Sequence, residues 1–228
     1  MIKIILPISL LLLLTLVSCQ SNEGTSDSNS NAVISDGETD FTLNEEYGNT
    51  LVAYFSEPET NGADAVAGAS RIVQNGEVLG NTEQIALWIA DYSNSDVHQI
   101  DTVEDYPGDH DELVEQAQDE QQSNARPALS ESINNLDQYD TIFVGYPIWW
   151  ADLPMPMYSF FENENLSGKN IIPFSTHGGS RFANTVATIT ELESNAAVES
   201  NGYTVSRNNV SDSRDAVYDW LSNFASVR

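Results

Sequence analysis

Ten residues in the middle of the chain, Thr141-Ile142-Phe143-Val144-Gly145-Tyr146-Pro147-Ile148-Trp149-Trp150, constrain the fold more than any other stretch. A short apolar and β-branched run bounded by Gly and Pro predicts a strand buried on both faces, as in a parallel sheet covered by helices. The paired indoles then fall in the loop at the strand's carboxyl end, where open α/β sheets receive planar ligands.

Weaker signals on either side repeat the alternation. Residues 51–55, Leu-Val-Ala-Tyr-Phe, read as a buried strand, and residues 82–92 carry Ile85, Ala86, Ile89 and Ala90 at helical spacing. A weak strand is expected at 97–100. An acidic helix follows over 109–124, with Leu113, Val114 and Ala117 as its apolar stripe and Pro127 beyond its end. Residues 130–136 add a turn, and Met157, Phe160 and Phe161 mark an amphipathic segment after the Trp pair. Another strand is predicted at 170–174, a helix at 184–193, a strand around 196–205 and a last helix at 212–225. Strands alternating with helices of this length predict an α/β fold whose parallel sheet has helices on both faces.

The amino terminus reads as an address. Lys3 precedes an apolar stretch from Ile4 to Val17, shorter than the roughly 20 residues that span a bilayer and suited to a signal-peptide core. Leu16-Val17-Ser18-Cys19 resembles the lipobox of bacterial lipoproteins, and Cys19 is the chain's single cysteine. A lone cysteine after an apolar run also arises by accident, but the Leu and Ser positions favour lipidation of Cys19. The expected organisation is a signal peptide over 1–18, a lipidated tether over 19–48 and one folded domain over 49–228, with an extracytoplasmic, membrane-anchored location. The tether is rich in Ser, Asn, Asp, Glu, Gly and Thr and cannot bury enough surface to offset its ordering entropy. With Cys19 acylated, no thiol remains for a disulfide or a structural zinc site.

Three loops are expected at the carboxyl edge of the sheet, each with its own chemistry. After the first strand, Ser56 leads to Gly80-Asn81-Thr82 at a helix start, where small polar residues offer N–H groups and hydroxyls to an anion such as a phosphate. Asn81 or Thr82 would equally serve as an ordinary helix cap. Arg71 is the only cation in this loop. In the second loop both indoles would ordinarily be core residues, the usual fate of tryptophan, but two adjacent indoles on an extended segment point opposite ways, which leaves one to pack inward and the other to cover a planar heterocycle. In the third, Ser175-Thr176-His177-Gly178-Gly179-Ser180, the paired glycines let backbone approach a ligand closely. His177 either donates to that ligand or joins the loop's own hydrogen bonds. No acid–base constellation stands out, so no catalytic side chain is assigned. His98 and His110 show no metal-ligand spacing, so no metal is expected.

Together these segments resemble the flavodoxin-like family, most closely its bacterial flavodoxins and flavodoxin-like NAD(P)H-quinone oxidoreductases. The resemblance runs from about Leu51 to Leu221. It rests on Tyr54-Phe55-Ser56, Gly80-Asn81-Thr82, the run from Gly145 to Trp150, Leu166-Ser167-Gly168-Lys169 and the run from Pro173 to Ser180. Tyr106-Pro107 and Ala125-Arg126-Pro127 match as well. It implies a flavodoxin-like three-layer sandwich, with a five-stranded parallel sheet in the order 2-1-3-4-5 and a noncovalent FMN. By motif position Ser56, Asn81 and Thr82, with Gly80 among them, would hold the phosphate. Pro147, Ile148, Trp149 and Trp150 on one side and Thr176, His177, Gly178, Gly179 and Ser180 on the other would flank the isoalloxazine. The implied function is electron transfer at the membrane surface to a redox partner protein or a quinone-like small molecule. An NAD(P)H-dependent quinone or flavin oxidoreductase is the alternative. The chain has no Gly-x-Gly-x-x-Gly fingerprint for a second dinucleotide, which favours the carrier.

One departure matters. The family's phosphate loop runs Ser-x-Thr-Gly-Asn-Thr without a break, whereas here 23 residues, Glu57 through Leu79, separate Ser56 from Gly80, and Leu79 stands in place of the Thr. Lengthening a surface loop costs only about 0.6 kcal/mol per doubling. The insertion is therefore expected to bulge outward, with Gly62, Gly68 and Gly76 in its turns and Ser56 still beside Asn81. The other outcome reshapes the phosphate pocket and leaves a binding module without FMN. Glu57, Glu59, Asp64 and Glu77 read as solvated carboxylates rather than as a cation site.

The 35 Asp and Glu face only 8 Lys and Arg, two of them lysines, for a formal net charge of -27. No basic surface for nucleic acid can be assembled from so few cations. Such a coat suits high salt, where screening over about 3 Å at 1 M relieves self-repulsion. The melting temperature is expected to rise between low and molar salt; an unchanged value would remove this reading.

Overall fold

The computed structural model describes Leu43 and residues 47–61, 70–74 and 76–225. The expected signal segment, Cys19, the tether residues 20–42 and 44–46, and Gly62, Asp64 and Gly68 of the insertion lie outside them. In chain order the elements are β1 (Thr50–Tyr54), β2 (Arg71–Gln74), β3 (Glu77–Gly80), α1 (Asn81–Ser93), β4 (Asp96–Gln99), α2 (His110–Ser123), β5 (Thr141–Pro147), α3 (Met155–Asn163), β6 (Asn170–His177), α4 (Thr185–Leu192), β7 (Ala197–Val198), β8 (Tyr203–Ser206) and α5 (Arg214–Leu221). Among the described residues no helix is long and apolar enough to cross a membrane.

The main sheet is parallel throughout, in the order β4-β1-β5-β6, with β7 and β8 both on the far side of β6. This is the expected 2-1-3-4-5 order with the fifth strand in two pieces. The split has a local cause. β7 pairs with Asn170 and Ile171, β8 pairs with Phe174 through His177, and the gap falls at Pro173. Proline has no N–H to give a neighbouring strand. Gly202 stands opposite, where a Cβ would lie 2.2 Å from the Pro173 carbonyl oxygen.

Alternation along the buried strands feeds two cores. On one face Leu51, Ala53, Ile142, Val144 and Ile171 meet Leu113 of α2, Met157, Phe160 and Phe161 of α3, and Ile189 of α4. On the other, Val52, Tyr54, Phe143 and Ile172 meet Ile85 and Ile89 of α1 and Val217 and Leu221 of α5. The result is the expected three-layer sandwich. Lys169 is buried and its Nζ donates to the carbonyls of Leu136 and Tyr139, at 3.0 and 2.7 Å, tying the start of β6 to the turn before β5.

Several elements differ from the sequence reading. The insertion is not purely turns, since β2 and β3 pair in an antiparallel hairpin around Gly76, whose φ is 85°. The turn expected at 130–136 is a 3₁₀ segment at Leu136–Gln138. β6 continues to His177, because pairing with both β5 and β8 extends it through Ser175 and Thr176. The last helix begins at Arg214, after a 3₁₀ turn at Arg207–Asp212.

Gly145 of β5 carries the tightest contact in the sheet. A Cβ there would stand 2.1 Å from Cζ of the buried Phe174 ring. Gly145→Ala is expected to lower stability by about 1–3 kcal/mol, the usual range for overpacking, read as a lower urea midpoint. Phe174→Leu in the same chain should restore part of the loss.

Candidate functional site

Because the strands run in parallel, the loops after β1, β5, β6 and β8 gather at one sheet edge, where a cleft of about 210 Å³ opens. Ser56 forms its β1 side. A Cβ on Gly80 would lie 2.0 Å from Ser56 Oγ, so the two ends of the interrupted loop remain in contact. The insertion closes on itself to allow this. Glu59 N–H donates to Ser70 Oγ at 2.8 Å, Asn81 N–H to the Ser70 carbonyl at 2.8 Å, and β2 brings Arg71 opposite Gly80. Thr60 and Asn61 N–H both donate to the Gly108 carbonyl, which fastens the start of the insertion beside α2.

Of the residues singled out from sequence, Ser56, Thr82, Pro147, Ile148, Trp149, Trp150, Thr176, His177 and Gly178 line the cleft. Gly80 and Asn81 lie behind it, buried by the hairpin, and Gly179 and Ser180 stand in the exposed loop beyond it. The Thr82 and Thr176 hydroxyls share a hydrogen bond of 2.8 Å and are both buried, joining α1 to β6 at the cleft floor. The β5 and β6 loops are linked as well, since Ile148 N–H donates to the Thr176 carbonyl at 2.9 Å.

The indoles diverge. Trp149 N–H donates to the Asp152 carbonyl at 3.1 Å and Asp152 N–H to the Trp149 carbonyl at 2.8 Å. This closes a tight turn whose central residues Trp150 and Ala151 have φ of 49° and 61°. Positive φ at both central positions matches the twist of a type I′ turn, normally left to Asn and Gly. The turn sends Trp149 edge-on against Phe55 and Tyr106, with ring centroids 5.3 and 5.4 Å away. Trp150 is 46% exposed at the mouth, its Nε1–H donating to the Val114 carbonyl of α2 at 3.2 Å.

His177 Nδ1 accepts from Gly179 N–H at 2.9 Å, placing the ring in the loop's own network. Burial, and secondly the charge of Arg181, hold its pKa below the ordinary value, so the ring is neutral at pH 7 with its proton on Nε2.

Five polar lining residues, Glu57, Glu59, Ser70, His110 and Arg207, were not recognised from sequence as site residues. Glu59, expected to be solvated, is 5% exposed and its Oε1 lies 3.0 Å from His110 Nδ1. Glu57 is half-buried, its carboxyl pushed up to about 7 by burial first and then by Asp101 and Asp105. Arg207, at the start of the turn after β8, is the only Lys or Arg among the lining residues. Glu59 and His110 are 51 residues apart, so no local pattern announces their pairing. The apolar stripe of α2, read as core, also contributes Leu113, Val114 and Ala117 to the cleft.

A family model for flavodoxins matches residues 70–224. The chain belongs to the flavodoxin family. The match begins inside the insertion, which separates this chain's β1 and Ser56 from the rest of the flavodoxin pattern. Among solved structures the chain is similar to a candidate flavoprotein of Bacteroides uniformis, at 27% identity and a TM-score of 0.60 over 77% of this chain and 98% of that one. A candidate flavoprotein of Bacteroides eggerthii is similar at 25% identity and a TM-score of 0.58, over 77% and 97%. A flavoprotein of Lactobacillus acidophilus, solved in complex with FMN, shares the flavodoxin fold at 19% identity and a TM-score of 0.51, over 73% and 98%. No curated protein matches the chain.

The carboxyl of Glu57 gives the cleft a pH signature. Its folded pKa lies above the ordinary 4.5, so folding takes up a proton between about 4.5 and 7. Its contribution to stability is therefore full below that window and lost as pH rises through it. The urea midpoint is expected to fall from pH 5 to pH 8, and less in Glu57→Gln. Glu193, also pushed up to about 7 by burial, keeps part of the slope in that variant.

Proposed function

We propose that this flavodoxin binds FMN in the cleft and transfers electrons at a membrane surface, held there by lipidation of Cys19. The carrying observation is the convergence of buried hydroxyls from Ser56, Thr82 and Thr176 with the Trp149-Trp150 turn and the glycine loop at one sheet edge. Ser56 still abuts Gly80, which supports a retained phosphate loop. The family resemblance and the FMN complex of the Lactobacillus acidophilus flavoprotein support the same cofactor.

The residues fit the group. The Ser56 hydroxyl is buried and makes no hydrogen bond among the described residues, so it is ready for an acceptor. Trp150 offers an indole at the mouth, while Trp149, fixed by Phe55 and Tyr106, serves as a rigid wall. Gly178, lacking a side chain, lets the third loop approach, and neutral His177 offers Nε2–H without adding a positive charge. The cleft is smaller than the roughly 300–1,000 Å³ of enclosing pockets, which suits a ligand held with one edge in solvent. Flavin, when bound, supplies one- or two-electron transfer. The proposed organisation is a signal peptide over 1–18, a tether over 19–48 and the flavodoxin domain over 49–228, facing outward from the membrane. The counterpart is a redox partner protein or a quinone-like molecule.

A second reading, an NAD(P)H-dependent acceptor reductase, is favoured by one observation: Glu57 and the Glu59–His110 pair put exchangeable protons on the cleft wall. Two-electron reduction of many organic acceptors needs such protons.

Purified protein mixed with FMN is expected to show flavin absorption at about one equivalent and quenched flavin fluorescence. Trp150→Ala should weaken binding by about 1 kcal/mol, roughly fivefold. A colourless protein that leaves FMN fluorescence unchanged would end the cofactor reading. NADH or NADPH added anaerobically bleaches the flavin directly in a reductase, whereas a carrier stays coloured until a separate reductase is supplied.

A further inference from the structure

We propose that Arg207 is the cationic anchor for the flavin's phosphate in this protein, where helix-start amides are already engaged. The proposal rests on the FMN reading and adds a residue outside the phosphate motif.

An anion at the start of a helix is ordinarily held by the first free N–H groups. Here two of them are already engaged. Gly80 N–H donates to Glu83 Oε2 at 2.8 Å, and Asn81 N–H donates to the Ser70 carbonyl at 2.8 Å. The second bond is part of a chain, since Ser70 Oγ in turn accepts from Glu59 N–H at 2.8 Å. Freeing Asn81 would therefore pull on the closure of the insertion itself. The same segment brings Glu57 and Glu59 to the cleft, so a phosphate would meet negative charge where an uninterrupted loop offers amides.

Arg207 answers that deficit. It opens the 3₁₀ turn Arg207–Asp212, which packs against β2, β6 and α1, and the last two carry the cleft residues Thr176 and Thr82. It lies beside Gly178, where a Cβ would stand 3.9 Å from both Nε and Cζ. Its guanidinium has no hydrogen bond or ion pair among the described residues. Carboxylates outnumber cations 35 to 8 in this chain, yet Arg207 lines the cleft with its guanidinium turned to no carboxylate among the described residues. A second polar group points the same way. Ser56 is 5% exposed, lines the cleft and leaves its hydroxyl without a hydrogen bond among the described residues. Ser56, the paired Thr82 and Thr176 hydroxyls, and Arg207 together make a donor set for a phosphate dianion, with the guanidinium fork as its only permanent charge.

The test compares FMN with riboflavin, which has the same ring and no phosphate, by fluorescence quenching on wild-type protein, Arg207→Ala and Arg207→Lys. The wild type is expected to prefer FMN, with an affinity that falls as salt rises. Arg207→Ala should weaken FMN at least tenfold, leave riboflavin within twofold and flatten the salt dependence, and Arg207→Lys should recover part of the preference. Arg207 is exposed, so the variants are expected to melt as the wild type does. If Arg207→Ala keeps the full preference for FMN, or loses both ligands equally, the assignment of Arg207 is overturned while the flavin reading stands. Wild-type protein that binds neither ligand overturns both.

Discussion

The cleft exists because β5 lies flat between two parallel neighbours. Residues 141–146 are all buried, paired with β1 on one side and β6 on the other. Gly145 makes that register possible, since the Phe174 ring occupies the space its side chain would take. The chain must then leave the sheet at Pro147, with the Trp pair just beyond. Parallel polarity brings the exits of β1, β6 and β8 to the same edge. Thr82 and Thr176, 94 residues apart in sequence, share a hydrogen bond because the strands before them point the same way.

The insertion turns a break in a loop into a wall. A flexible excursion of this length would leave Ser56 and α1 loosely related. The hairpin pins Arg71 against Gly80, Ser70 bonds both Glu59 and Asn81, and Thr60 and Asn61 bond Gly108. Each of these bonds is worth only about 1 kcal/mol net, but together they fix where the ends of the insertion lie. The consequence is electrostatic as much as structural. Helix-start amides are spent inside the protein, and two carboxylates are carried to the cleft in their place, Glu59 meeting His110 of α2 there.

Three of the described cations have a visible structural task. Lys169 bonds two carbonyls in the interior, and Arg126 meets Glu162 at 2.8 Å while stacking over Tyr158. Arg214 lies 3.7 Å from Asp91 and over Tyr218. Exposed pairs of this kind contribute about 0–1 kcal/mol, so they shape local surface without offsetting the repulsion of a strongly acidic chain. Arg207 stands apart from this pattern by facing the cleft.

The parallel α/β alternation and the three ligand loops were legible in the amino-acid sequence, because long apolar runs, helical spacing and Gly-Pro boundaries are local, whereas the sheet order came only with the family resemblance. The 141–150 run and the helix at 82–92 are the clearest cases. The hairpin was not legible, because Ile72 and Leu79 are its few inward apolar residues while Val73 and Val78 face solvent, and so short a pattern looks like loop. The split of the last strand could have been anticipated from Pro173, whose missing N–H is a local fact. The burial of Glu59 against His110, the proton-holding environment of Glu57 and the approach of Arg207 to Gly178 were decided by tertiary structure alone. A carboxylate's solvation or a cation's partner depends on which distant segments close over it, and composition within a few residues carries no record of that closure.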